Sequence, residues 1–293
     1  MKDKYLLLLA LAGLALPLHA ASLTESTFTE IINEVNTLSA AGDATTAKSG
    51  DILKAPQRVR TGPQSRAELT APDQTITRVG ANTVFSYADS GRTLNLEQGS
   101  LLFHAPKGLG GGTIKSGGAA AAVLGTTVAV SATTGGGFKV ILLEGKGKVT
   151  LPNGNSVTLK AGQEVFVLPG GTEFSKVFNI NLDKLVGGSL LVKGFSHELS
   201  SLPLILLAIQ DQDSQIKSGA ASDTGAPPEF FLPPPAPGNG QNVLDPATYD
   251  TANHPPLTLK QFNALNRGKP TQGPPPGNIG PGGRPVVITA FRG

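Results

Sequence analysis

The sequence predicts a mainly β protein, a curved β roll or solenoid-like sandwich, with a short helical segment after it and a disordered Pro/Gly-rich tail. Three observations carry this reading. From Arg58 to Leu168, short β-prone runs alternate with glycine, asparagine, proline and aspartate turns, the spacing of an all-β domain. After Pro169 apolar residues take helical spacing, with Ser201 placed as an N-cap and Pro203 in the first turn of a helix. Most of the 23 prolines lie beyond Asp211.

The order of elements starts with a leader. Lys2 and Lys4 precede an uncharged run from Tyr5 to Leu18 and then Ala20, Ala21 and Ser22, the layout of a secretory signal peptide cleaved after Ala20 or Ala21. The run is short for a bilayer, which needs roughly 20 apolar residues. Export to the periplasm, the cell envelope or the exterior is therefore expected, with no integral membrane segment once residues 1–21 are removed. The chain has no cysteine, so neither a disulfide nor a lipid anchor on cysteine is available, and stability must come from apolar burial.

Residues 22–175 read as the β domain. The segment 24–38 is ambiguous: Phe28, Ile31, Ile32, Val35 and Leu38 have helical spacing and Thr27 with Glu30 would suit a capping box, whereas its Thr, Ile and Val content suits a strand. Further on, Leu94 and Leu96, Val149 and Leu151, and Val157 and Leu159 alternate with polar residues, as strands with one solvated face do. Phe138–Leu143 is nearly continuous in apolar residues and is assigned to the centre of the sheet, covered on both faces. Leucines followed by turn glycines at Gly99, Gly145 and Gly162 suggest successive turns of a roll, too irregular for a strict repeat.

Residues 176–217 read as a helical segment packing on the β domain: a short helix around Leu182–Val186, a strand or turn around Leu190–Phe195, and a helix from Ser201. Its expected place is an edge or open end of the sheet. Residues 218–293, with Pro227-Pro228, Pro233–Pro235 and Pro274–Pro276, have too few apolar groups to offset chain entropy and form the tail.

No pattern of catalytic residues stands out. Beyond the leader the histidines are His104, His197 and His254, far apart and in no metal-ligand spacing, and they read as surface or half-buried imidazoles. Glu144, Glu164 and Glu173 include no marked acid pair, and Ser65, Ser131 and Ser175 sit in no nucleophile elbow. Gly108–Gly112 and Gly135–Gly137 do not match a phosphate loop and read as flexible loops beside Lys107, Lys139 and Lys146. The net charge is +3, without a basic run interleaved with aromatics, which argues against nucleic acid. The expectation is a protein without cofactor, metal or catalytic residues, hence not an enzyme.

In order along the chain stand Val59-Arg-Thr-Gly62, Ser65-Arg-Ala-Glu-Leu69, Arg78-Val-Gly80-Ala-Asn-Thr83, Leu96-Glu-Gln-Gly99, Val123-Leu-Gly125-Thr126, Leu143-Glu-Gly145 and Ala161-Gly162-Gln163. With these fragments the stretch from about Gly50 to Leu168 resembles the FecR domain. The resemblance implies an all-β roll in the bacterial periplasm. Regulators of that family relay a signal from a TonB-dependent outer-membrane transporter to a cytoplasmic sigma factor of the extracytoplasmic-function type. The cleavable leader departs from that plan, and no C-terminal transporter-contacting domain is evident. The resemblance tips 24–38 toward an opening strand containing Val35, and it marks Gly62, Gly80, Gly99, Gly125, Thr126, Gly145 and Gly162 as fold determinants. The implied function is a non-catalytic sensory or interaction module that binds a protein partner in the cell envelope, such as a transporter or sensor; the alternative is an envelope-structural or glycan-binding protein.

Overall fold

The computed structural model describes residues 22–132 and 136–218. The cleavage positions Ala20 and Ala21, His254, Gly135 and the proline-rich tail beyond Ser218 lie outside the described residues. Within them, 17 strands form two sheets joined through one long strand.

The segment that could be read as helix or strand forms β1 (Glu25–Ile32) and β2 (Val35–Leu38), separated by a turn in which Asn33 has φ +60°. Short strands follow: β3 (Ala44–Thr46), β4 (Ile52–Lys54), β5 (Arg58–Thr61), β6 (Arg66–Thr70), β7 (Ile76–Val79) and β8 (Val84–Tyr87). The long strand β9 spans Thr93–His104. Beyond it come β10 (Gly112–Ser116), β11 (Ala119–Val123), β12 (Thr127–Ala132), β13 (Phe138–Glu144), β14 (Lys146–Thr150), β15 (Ser156–Lys160), β16 (Gln163–Val167) and β17 (Phe178–Asn179). Sheet A runs β4-β1-β6-β7-β9-β12-β13-β16-β17. Sheet B runs β3-β2-β5-β8-β9-β10-β11-β14-β15. All these pairs are antiparallel except β9 with β10.

β9 changes sheets at Gly99. Leu94 and Leu96 point into the core from sheet B, and Leu101 and Phe103 do so from sheet A, so the inward parity flips between them. The flip coincides with a register shift against β8 and with φ +92° at Gly99, a left-handed conformation that glycine adopts without cost. The inner faces enclose one continuous apolar core, among it Phe28, Phe85, Leu101, Phe103, Phe138, Val140 and Leu159. Tyr87 is buried there with its hydroxyl 2.9 Å from Ser26 Oγ and donating to Thr77 Oγ1 at 3.3 Å.

Three helices follow: α1 (Leu182–Gly188), α2 (Leu190–Lys193) and α3 (Leu202–Lys217). The strand or turn expected at Leu190–Phe195 is corrected to a helical turn, because Ser189 O accepts from both Val192 and Lys193 N–H and Leu190 O from Gly194 N–H. Their position also differs from the expected edge: the helices cover a face. Leu102, Ala129, Ile141 and Leu143 project outward from sheet A and pack against Leu182, Leu185, Val186, Leu191, Val192, Leu199, Ile205 and Ile209. Burial of each such side chain contributes about 1.5–3 kcal/mol. This second core explains the continuous apolar run of β13, which lies between β12 and β16 with every residue buried.

Candidate interaction face

The outer face of sheet A is where charge and burial coincide. Reading across the strands in register, Glu30 lies opposite Glu68, Glu68 opposite Arg78, and Arg78 opposite Leu102. Strand alternation points Glu68, Arg78 and Leu102 outward, the register shift between Phe28 and Glu30 in β1 turns Glu30 to the same face, and the helical segment covers them. Arg78 is 0% exposed. Its Nε donates to Glu68 Oε2 at 2.7 Å, Nη1 donates to Leu191 O at 3.2 Å and to Val192 O at 2.7 Å, and Nη2 donates to His197 O at 2.8 Å. The guanidinium carbon also sits 4.4 Å from the centre of the Phe195 ring.

The neighbouring charges hold the same stretch of chain. Thr29 Oγ1 donates to the other oxygen of Glu68 at 2.8 Å. Arg66 Nε donates to Gly194 O at 3.3 Å. Glu30 accepts from Ser196 N–H at 3.0 Å and from Ser196 Oγ at 2.7 Å. Of these contacts, those that reach residues 191–197 go to main-chain groups, apart from the Ser196 hydroxyl, the Phe195 ring and the His197 ring 3.9 Å from Glu30. The face therefore grips polypeptide backbone, and a guanidinium with five N–H donors suits it to gather several carbonyls at once.

A second buried cluster fastens the start of α3. Thr127 Oγ1 lies 3.0 Å from His104 Nδ1, 3.0 Å from Glu144 Oε1 and 2.7 Å from Ser201 Oγ. Burial pushes the His104 imidazole down from its ordinary value. Burial likewise raises the Glu144 carboxyl, opposed by the Thr127 hydrogen bond and by the charge of Lys107. The elements of an acid–base–hydroxyl array are thus together, but all four residues are buried, so the cluster fixes the helix start by packing. Ser201 is the N-cap position by backbone, yet its side chain turns to this cluster and makes no capping bond. Farther along α3, Gln212 accepts from Leu182 N–H at 2.9 Å and donates to Ile180 O at 2.8 Å.

A third buried group lies toward β16. Glu164 is pushed up to about 7 by burial, with Lys139 opposing the rise, and the Lys139 ammonium is 5.9 Å from the Phe166 ring centre. A carboxyl whose folded pKa lies above its unfolded value of 4.5 favours the folded state below about pH 4.5, and that advantage disappears as pH rises through about 7. We expect the intact chain to lose about 2 kcal/mol of unfolding free energy relative to Glu164→Gln between about pH 5 and about pH 8. Parallel denaturant titrations of the two proteins across that range measure it. Identical pH slopes would remove Glu164 from this role.

Several sequence expectations change here. His104 is buried, because the helices cover the face that β9 would otherwise expose; His197 is exposed beside Ser196. Lys139 belongs to the buried face and is not a loop charge, while Lys107 and Lys146 are exposed. The Gly108–Gly112 loop is anchored at Gly111: Arg92 donates from Nε to Gly111 O at 2.6 Å, from Nη1 to Asp73 Oδ2 at 2.6 Å and from Nη2 to Thr75 Oγ1 at 2.7 Å.

The glycines singled out in the sequence lie at close approaches. A Cβ at Gly62 would meet Glu34, one at Gly80 would meet Ser100, one at Gly99 would meet Thr83, and one at Gly125 would meet Lys107. At Gly145 it would strike the Thr126 methyl, which places Thr126 against that turn, and at Gly162 it would strike Gln212. The charged row Glu30, Glu68, Arg78 and Arg66 was not singled out, since charges in a strand ordinarily mark the solvated side. A helical segment with more apolar residues than one amphipathic face needs was the available signal of a covered sheet.

The fold and face define a two-sheet β module that holds a C-terminal helical segment against one outer face. Residues 57–146 match the model of the FecR protein family. No curated protein matches the chain. Among solved structures, two crystal structures of a candidate anti-sigma factor from Parabacteroides distasonis ATCC 8503 are similar. The one at 1.65 Å has a TM-score of 0.39 at 20% identity, over 45% of this chain and 63% of that one. The one at 2.50 Å has a TM-score of 0.40 at 20% identity, over 46% and 64%. The chain thus spans just under two thirds of the length of these neighbours. Among the described residues, no helix is long and apolar enough to cross a membrane.

Proposed function

We propose that this chain is a non-catalytic regulatory module of FecR type, exported to the bacterial periplasm or cell envelope, that binds a protein partner and signals by releasing or retaining its own helical segment. The observation that carries the reading is the grip of Arg78 and its neighbours on the backbone of residues 191–197. A sheet face built to take main-chain carbonyls in cis is a polypeptide-recognition surface, and such contacts depend little on the side chains of the bound segment. The cover in turn presents an apolar surface: Leu206 is 53% and Leu207 61% exposed on α3, one turn or less from Leu204. A FecR domain supports a signalling role, and the leader read from the sequence supports export.

The test is photo-crosslinking in intact cells of the native host, with a photoreactive residue at Leu207, combined with identification of the attached protein. A discrete protein partner, together with no turnover by the purified chain in broad hydrolase and transferase screens, is the expected result. Reproducible turnover would overturn the non-catalytic reading, and absence of any captured protein from surface positions would overturn the binding one.

A further inference from the structure

The outer face of sheet B over β10, β11, β14 and β15 carries a single sign of charge. Lys115, Lys146, Lys148 and Lys160 are exposed there, and residues 112–124 and 146–160 contain no Asp or Glu. In the β14–β15 hairpin Lys146 stands directly opposite Lys160, and Lys148 opposite Thr158. Ala122 lies opposite Lys148 and Lys115 opposite Ala120, so small side chains leave the ammonium groups uncovered. Like charges opposed on one sheet face cost stability. Two exposed cross-strand charge pairs lie elsewhere, Lys54 with Glu25 and Arg58 with Glu97, while Arg60 on β5 has no such pair. Among the described residues none of these four lysines has such a partner.

The same hairpin ends the sheet. Among the described residues β15 is in register with β14 alone, which leaves the outer side of Ser156–Leu159 without a strand beside it, while the Lys160 N–H donates to Gln163 Oε1 at 3.0 Å. Lysines near an edge repel accidental pairing, and the same charge selects what can be admitted: a strand with carboxylates on alternate positions. An added strand would lie about 4.8 Å from β15. Its outward carboxylates would meet Lys160 directly, and the long side chains of Lys146 and Lys148 would reach them over Thr158.

We propose that the β14–β15 edge accepts an extended acidic segment of the partner protein as an added strand, main-chain hydrogen bonds supplying the affinity and the lysine face the selectivity. This rests on the reading of the chain as a protein-binding module and names the surface and the chemistry of its partner.

The experiment uses the intact chain and fluorescence anisotropy with a labelled peptide alternating Glu and Val. That peptide should bind, its Lys/Val counterpart should not, and methylating alternate peptide nitrogens should weaken binding about tenfold or more, because strand addition needs those N–H groups. The triple substitution Lys146→Glu, Lys148→Glu and Lys160→Glu should weaken it by a similar factor, with circular dichroism unchanged. Equal binding of the methylated peptide would overturn strand addition. Binding of phosphatidylglycerol vesicles in place of the peptide would assign the face to an anionic lipid surface and overturn the proposal. In cells, a photoreactive residue at Thr158 should capture the partner. If Leu207 captures a protein and Thr158 does not, this surface is wrong while the module reading stands; if neither does, both fall.

Discussion

Arg78→Ala should lower the unfolding free energy by about 4 kcal/mol, or release the helical segment outright. The arginine is fully buried and serves Glu68 and three main-chain carbonyls. Removing it leaves Glu68 with the Thr29 hydroxyl alone, and these carbonyls without their guanidinium donor, on a covered face, and breaking a buried ion pair costs about 3–5 kcal/mol. The loss is localised. The main apolar core between the sheets does not involve Arg78, so brief proteolysis of the variant should cut within 180–217 before it cuts the strands. Arg78→Lys should rescue little, since an ammonium cannot span Glu68 and the carbonyls of Leu191, Val192 and His197 together. A wild-type denaturation midpoint for Arg78→Ala would show that the clamp is dispensable.

Gly99→Val should cost about 4 kcal/mol or more and leave most of the expressed chain insoluble. Two effects add. The left-handed backbone at φ +92° is strained for any side chain and worst for a β-branched one. A Cβ there also lies 2.6 Å from Thr83 Cβ and overlaps Thr83 Cα, which is backbone and cannot turn aside as a flexible side chain would. Because β9 passes between the sheets at this residue, the strain falls on the joint of the whole roll. Gly125→Val should be milder, about 1–3 kcal/mol, because part of its overlap is with the flexible Lys107 side chain. Soluble yield and guanidinium midpoints of the two variants give the comparison, and equal midpoints would contradict the ranking.

The fold was largely legible because its signals are local. Alternation in Leu94–Leu96, the turn glycines and the apolar run of Phe138–Leu143 each report strand geometry directly, and the Ser201–Pro203 start of α3 reports a helix. What was not legible depends on tertiary contact. Leu190–Phe195 reads locally as a strand or turn, yet Leu190–Lys193 is a helical turn whose Leu191 and Val192 carbonyls accept from Arg78. Glu68, Arg78, Lys139 and Glu164 occupy alternate strand positions, where charge ordinarily signals solvent. The apolar run of Phe138–Leu143 signals a strand covered on both faces, but nothing local in β6 or β7 shows that the cover extends over Glu68 and Arg78 from helices more than a hundred residues away. For the same reason Thr127, Ser201, His104 and Glu144, separate in the chain, gave no sign of meeting.

The account turns on the helical segment being a separable cover on a stable β roll. Native-state hydrogen exchange of the intact chain tests this most directly, comparing amides of α1–α3 with those of β9, β12 and β13. The predicted result is a cooperative opening of residues 182–217 at a free energy several kcal/mol below that of the central strands, lowered further in Arg78→Ala with the strands unchanged. Exchange of helices and central strands through one common global unfolding, with the same free energy in both proteins, would contradict it.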